Sequence, residues 1–281
     1  MHGIHNKGLN KTPDILESFT PIGFDKTSDL LESFAPIGLD GTMTVKFMSR
    51  IDTKYLFPIG KLPYLLRNVQ PFYHILEISQ QREFNYKTVY FDTPDLLFYR
   101  QHVTGKLNRD KVRVRTYEAN SLTFLEVKHK SNKGVTSKTR IPKNEGDPDY
   151  YKNSSVFLKG LIETDPHSLK AMITTRSTRI TLVNLTRAER ITIDYDISWN
   201  NLRGDVLEMP FLAIAEIKNG KSTSQSAFFQ QLKKLGIRKT SFSKYAVGMT
   251  LLYPVEKKNA VKPKLLLINK IRNEYYRNGN A

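Results

Sequence analysis

Apolar and polar residues alternate through Lys111-Val112-Arg113-Val114-Arg115-Thr116-Tyr117, and again through Phe124-Leu125-Glu126-Val127-Lys128-His129-Lys130. Side chains two apart share a strand face. Lys111, Arg113, Arg115 and Tyr117 therefore fall on one face, with Val112, Val114 and Thr116 on the other. In the next strand Glu126, Lys128 and Lys130 stand opposite Leu125 and Val127. The short connection at residues 118–121 makes the pair a predicted β-hairpin with one apolar and one cationic face. One such hairpin fits an ordinary ribbon with its polar face in water, but a solvated face normally mixes signs because stacked like charges repel.

The same alternation recurs along the chain. Arg50, Asp52 and Lys54 share a face, as do Lys138 and Arg140, then Arg190, Thr192, Asp194 and Asp196, then Glu216 and Lys218. The pattern predicts an α+β fold, with these strands in a closed antiparallel β-barrel tunnel, a basic lumen, and helices packed outside on the apolar faces. A tunnel lined in this way suits a polyanion that brings a metal ion with it.

Around these strands, residues 45–57 read as the first strand, ended by Pro58. Leu62, Leu65, Leu66 and Val69 have helical spacing, and residues 87–92 form another strand. Thr93-Pro94-Asp95 has the chemistry of a helix start. Residues 144–170 are polar and predict short helices. Residues 176–183 and 189–198 predict a second hairpin, and residues 224–235 an amphipathic helix capped by serine and closed by Gly236. Ser243-Lys244-Tyr245 opens an apolar helix with a lysine at its positive end, where an anion would be favoured. The first 45 residues hold two near-copies of a 15-residue unit, residues 12–25 and 27–40, each predicting a helical turn stopped by Pro and Gly. The expected organisation is a leader over residues 1–44, a barrel domain over 45–254, and a basic C-terminal helix or tail over 255–281. That last segment reads as a docking helix or a basic surface anchor.

Charge sharpens this picture. The formal net charge is +17, and residues 46–254 carry +15 of it. Polyanions are the natural partners: nucleic acid, phosphorylated metabolites or polyphosphate, or anionic lipid. The absence of cysteine excludes disulfides and thiolate metal sites. No Gly-rich phosphate loop is present, and the six histidines form no metal pattern. With no signal-like or membrane-spanning run, the default expectation is a cytoplasmic protein, which leaves room for membrane association through a partner.

Taken together, Arg50-x-Asp52-x-Lys54-Tyr55, Tyr90-Phe91-Asp92-Thr93, Lys111-x-Arg113-x-Arg115-x-Tyr117, Phe124-x-Glu126-x-Lys128, Arg190-x-x-x-Asp194, Ala215-Glu216-x-Lys218 and Ser243-Lys244-Tyr245 follow an order that resembles the VTC domain. This is the polyphosphate polymerase domain of the vacuolar transporter chaperone family, a branch of the triphosphate tunnel metalloenzymes with bacterial stand-alone members. The resemblance implies a polyphosphate kinase-type enzyme that transfers the γ-phosphoryl group of ATP to a growing inorganic polyphosphate chain and requires Mn2+ or Mg2+. It implies catalytic cations at Lys54, Arg113, Arg115, Lys128, Arg190 and Lys244 and a further phosphate contact at Arg179, while Lys130, Lys138, Arg140, Lys218 and Lys111, on the same charged strand faces, are further candidate phosphate contacts. It also implies a metal-ligating carboxylate at Glu216, with Asp52, Glu126 and Asp194 as additional candidates.

The partners implied are ATP and polyphosphate, with a membrane protein as a further candidate and no sequence-specific nucleic acid. Two departures stand out. Ser241 occupies a position where fungal relatives carry a second lysine, with Lys239 nearby as a substitute, and the first strand has Arg50-x-Asp52-x-Lys54 where the hydrolytic branch has Glu-x-Glu-x-Lys. Two alternatives remain open. One is a triphosphate hydrolase on the same barrel; the other is a non-catalytic polyanion or RNA-binding module in which Tyr117, Tyr90 and Phe91 stack bases.

Overall fold

The computed structural model describes residues 25–44, 51–144, 147–220 and 223–277. Arg50, the predicted start of the first strand at 45–50, and residues 12–24 of the first repeat copy lie outside them. In chain order the elements begin α1 (Asp25–Glu32), β1 (Ala35–Ile37), α2 (Leu39–Thr44), β2 (Ile51–Pro58), α3 (Leu62–Val69), β3 (His74–Leu76), β4 (Phe84–Asp92) and α4 (Leu97–Val103). They continue with β5 (Arg109–Tyr117), β6 (Leu122–Lys130), β7 (Thr136–Pro142), α5 (Tyr150–Lys159), β8 (Lys170–Asn184), β9 (Glu189–Asn201), β10 (Val206–Met209) and β11 (Leu212–Asn219). The chain closes with α6 (Ala227–Lys234), β12 (Lys239–Thr240), α7 (Lys244–Leu252) and α8 (Lys262–Arg277).

The 12 strands form one sheet whose main path runs β12-β2-β11-β9-β8-β4-β5-β6-β7. Every pairing on that path is antiparallel. The predicted closed barrel is not formed, because the ladder ends at β12 on one side and β7 on the other. The sheet instead curls. Lys128 on β6 is electrostatically coupled to Glu216 on β11 and Lys54 on β2, strands from opposite halves of that path.

The alternation explains the layers. On the outer face of β2, β9 and β11, Tyr55, Phe57, Ile191, Ile193, Ala213, Ala215 and Ile217 are buried with Leu62, Leu65 and Leu66 of α3 and Phe228 and Leu232 of α6. Val112, Leu125 and Val127 of the central hairpin pack with Phe98 of α4 and Leu158 of α5. A third cluster joins Tyr90, Ile173, Ile197 and Trp199 to Tyr245, Val247 and Met249 of α7 and to Ile268 and Ile271 of α8. At roughly 1.5–3 kcal/mol for each large side chain fully buried, the first two clusters form outer layers that hold the sheet in shape, while in the third Tyr90 lies opposite Arg113 on the charged face. The outer layers force the charged residues of alternate parity onto the opposite face.

Several sequence expectations shift by a few residues. Leu31 and Phe34 of the second repeat copy are buried in the core, while Ala35–Ile37 pairs in parallel with β3. The helix expected at Thr93 begins at Leu97, whose amide donates to the Thr93 hydroxyl at 2.9 Å as a cap would, and Asp92 at the end of β4 takes the next two amides. That carboxylate accepts hydrogen bonds from the amides of Phe98 and Tyr99, both at 2.8 Å, and from the hydroxyl of Tyr245. Asp92 is fully buried and ties α4 to α7. Ser226, not Ser224, caps α6, accepting from Phe229 N at 3.1 Å. α8 packs against the sheet through Ile268 and Ile271, and its Glu274 pairs with Lys61 at 2.6 Å. No helix among the described residues is long and apolar enough to cross a membrane.

Candidate functional site

Register brings most of the predicted site residues together. On β2 and β11, Lys54 lies opposite Glu216 and Asp52 opposite Lys218, while β9 places Arg190 opposite Lys218 and Thr192 opposite Glu216. On β8 and β9 Arg179 faces Asp194. On β5 and β6 Arg113 faces Glu126, Lys111 faces Lys128, and Arg109 faces Lys130. β7 then sets Lys138 beside Lys128 and Arg140 beside Glu126.

The three innermost carboxylates are each held by two cations. Glu216 accepts from Lys54 and pairs with Lys218 at 3.0 Å. Glu126 takes Arg113 through two nitrogens, at 2.8 and 2.7 Å, and Lys138 at 3.1 Å. Asp194 takes Arg179 in a fork of 2.5 and 2.8 Å, and Lys244 at 2.9 Å. Charge-assisted forks of this kind are the strongest polar contacts a side chain makes. Burial alone would push each carboxyl up, but the neighbouring cations outweigh it. Lys218 and Lys54 hold Glu216, and Arg179 and Lys244 hold Asp194, well below the usual carboxylate range. Arg113, Arg115 and Lys138 bring Glu126 to about 2.

Lys111, Arg115 and Lys128 form no ion pair among the described residues. Lys111 donates to the Ser243 hydroxyl at 3.1 Å, and Arg115 donates to Thr88 at 3.2 Å. Burial, reinforced by neighbouring cations, lowers Lys111 to about 7. Burial brings Lys128 to about 8 against the favourable pull of Glu216. Arg115 is likewise lowered by burial and by Arg113 and Arg179. These groups are charged at a cost that an anion would remove.

Lys244 opens α7, where Ser243 caps the helix by accepting from Ala246 N at 3.3 Å. Its ammonium also donates to Ser177 at 2.6 Å, and its carbonyl receives the Trp199 indole N–H at 2.9 Å. Burial lowers its pKa to about 8 despite Asp194. Gly248 makes this seat possible, since a Cβ there would meet Trp199 Cδ1 at 2.3 Å.

Some expected residues stand apart. A bulge between Arg176 and Thr178 offsets β9, and Asp196, at φ 49, is turned out to an exposed position. Lys239 lies opposite Tyr55, whose side chain is in the outer core, so it stands on the face away from Lys54 and does not replace the lysine missing at Ser241. Lys130 continues the row at its end beside Arg109, and Arg140 is exposed on the edge strand. Tyr90 is buried and stacked on Tyr245 at 5.2 Å, and Phe91 packs beside the hairpin core; neither is free to stack a base. Sequence reasoning passed over Tyr86, Thr88 and Ser177. The first two share a face of β4 by alternation, but neither carries a charge to mark it.

A divalent ion would find oxygen donors here but no all-protein cage. Among the described residues no three His, Asp or Glu side chains converge. One carboxylate sharing an ion with phosphate oxygens is the usual arrangement for Mg2+, and Glu216, with Asp52 two positions along β2 from Lys54, fits it.

A family model described as the VTC domain matches residues 49–253. No curated protein matches the chain. Solved structures similar to it include a Hippeastrum protein described as having a dominant triphosphatase activity, 17% identical, with TM-score 0.44, covering 74% of this chain and 100% of that one. They also include a Pyrococcus horikoshii protein, 15% identical with TM-score 0.42, covering 72% and 98%. A third, from Pyrococcus furiosus, is 16% identical with TM-score 0.38, covering 68% and 92%.

Proposed function

We propose a function from one premise: the chain belongs to the VTC domain family. It is a polyphosphate polymerase, transferring the γ-phosphoryl group of ATP to the end of an inorganic polyphosphate chain and releasing ADP. The observation that carries this reading is the unbalanced inner face. Glu126, Asp194 and Glu216 are each held by two cations, while among the described residues Lys111, Arg115 and Lys128 form no ion pair and have depressed pKa.

Phosphoryl transfer needs positioning and neutralisation of charge on phosphate oxygens rather than covalent chemistry from the protein. Lys54, Arg113, Arg115, Lys128, Arg190 and Lys244 are assigned to the reacting phosphates, with Arg179, Lys218 and Lys111 beside them. Arg supplies bidentate forks and Lys compact point charges. A terminal oxygen of the chain forms the new bond to the γ-phosphorus as the bridging bond to the β-phosphate breaks, and the electron pair leaves on ADP. The incoming phosphate is already ionised near neutral pH, so no proton has to be taken from it. That suits a face whose carboxylates lie too far below neutral pH to act as bases. A water activated by a bound divalent ion would turn the same site to hydrolysis, and the products tell the two reactions apart. Glu216 would hold the divalent ion, which neutralises phosphate charge as a Lewis acid when bound.

The test is incubation with ATP and Mn2+ or Mg2+, followed on a polyphosphate-staining gel with orthophosphate measured in parallel. Chain growth that disappears in Lys128→Ala and Glu216→Gln is the expected result. Orthophosphate without chains would replace the polymerase with a triphosphate hydrolase.

A further inference from the structure

At one end of the cationic face three aromatic rings cross three neighbouring strands. Tyr86 of β4 lies directly opposite Tyr117 of β5, and their ring centroids are 5.0 Å apart. Tyr117 meets Phe124 of β6 edge-on at 5.8 Å. All three rings are only half-buried, unlike Tyr90 further along β4. Guanidinium groups lie against them, and Tyr86 also feels the charge of Asp194. The Arg179 guanidinium lies over Tyr86 at 4.8 Å, Arg115 approaches the same ring at 5.7 Å, and Arg140 lies over Phe124 at 4.2 Å. Arg140 also donates to the Tyr117 hydroxyl at 3.4 Å.

The ladder is therefore continuous with the phosphate-binding face, since Arg115 and Arg179 belong to both. Cross-strand aromatic pairs also stabilise a sheet by themselves. A purely structural ladder, however, would serve best buried, whereas this one is open and paired with an exposed arginine on an edge strand. π-faces flanked by guanidinium groups are the equipment for stacking a planar heterocycle.

We propose that Tyr86, Tyr117 and Phe124, with Arg140, form the nucleobase subsite of this protein, so that the donor is a nucleoside triphosphate held base-outward with its phosphates on Arg115 and Arg179. The inference rests on the phosphate-site reading above and adds to it the means of telling ATP from inorganic triphosphate. A purine offers the larger face and is the preferred base. Arg140 lies on Phe124 in the ligand-free chain and moves to cover the base when it enters.

Calorimetric titration of the full chain with MgATP and with inorganic tripolyphosphate tests this. Stacking one base on an aromatic face is worth about five- to 150-fold in affinity. In Tyr117→Ala and Phe124→Ala, ATP affinity falls about tenfold or more while tripolyphosphate affinity changes less than twofold. Tyr117→Phe, which keeps the ring, retains ATP binding. Equal losses for both ligands, or no loss for ATP, would overturn the nucleobase subsite while leaving the phosphate site standing. Failure of wild type to bind either ligand would overturn both readings. An oligoadenylate RNA that displaces ATP and binds more tightly would reassign the ladder to single-stranded RNA.

Discussion

Asp194→Asn separates the two roles that the inner carboxylates play. In the ligand-free chain Asp194 neutralises Arg179 through a fork and Lys244 through one contact, and the three side chains are 10%, 18% and 15% exposed. Asparagine keeps the shape and removes the charge, leaving two poorly solvated cations uncompensated. Breaking a buried ion pair from one side costs about 3–5 kcal/mol. For a chain of this size that corresponds to a melting temperature lower by about 6–20 °C. The same two cations then become available to phosphate. A ligand that binds only the folded state contributes about 2.7 kcal/mol at a hundred times its Kd, and the variant's tighter Kd enlarges that gain at fixed ligand concentration. Differential scanning fluorimetry with and without inorganic tripolyphosphate in large excess reads both effects. The variant melts well below wild type alone and gains more than wild type from the ligand. A loss under about 1 kcal/mol, or a ligand gain no larger than that of wild type, would refute the view that this carboxylate holds the place of a phosphate.

Three further predictions follow from the same geometry. Glu216→Gln abolishes metal-dependent turnover but strengthens metal-free tripolyphosphate binding, because Lys54 and Lys218 lose their competing carboxylate; a parallel fall in both measurements would contradict this. The ligand-free protein becomes more stable between about pH 7 and 9. Lys111 at about 7 and Lys128 and Lys244 at about 8 release protons in the folded state that the unfolded chain keeps up to the ordinary lysine value of 10.5. Bound tripolyphosphate removes this slope by holding the lysines charged in the folded state too, and a melting temperature that falls over this range without ligand would count against the assignment. Gly248→Ala drives a methyl into Trp199 and Ile173, at 2.3 and 2.6 Å, costing about 1–3 kcal/mol. The shift displaces the indole that holds the Lys244 carbonyl, so triphosphate affinity falls as well; unchanged affinity would show that Lys244 is seated independently of Trp199.

Alternation along the chain determined which residues share the charged face, because strand parity is a local property. Lys54, Asp52, the Lys111 to Arg115 row, Glu126, Lys128, Asp194, Arg190, Glu216 and Lys218 could all be placed there from the sequence, and their order along the chain carries the family resemblance. Tertiary structure decided which cation meets which carboxylate. Lys54 and Glu216 are 162 residues apart, and their pairing depends on strand order and register, which no local pattern encodes. It also decided that the sheet curls without closing, that one bulge turns Asp196 outward, and that Lys239 stands on the wrong face. The uncharged members of the site were the least legible: Tyr86, Thr88 and Ser177 gain their roles only from the charged groups that long-range packing sets against them.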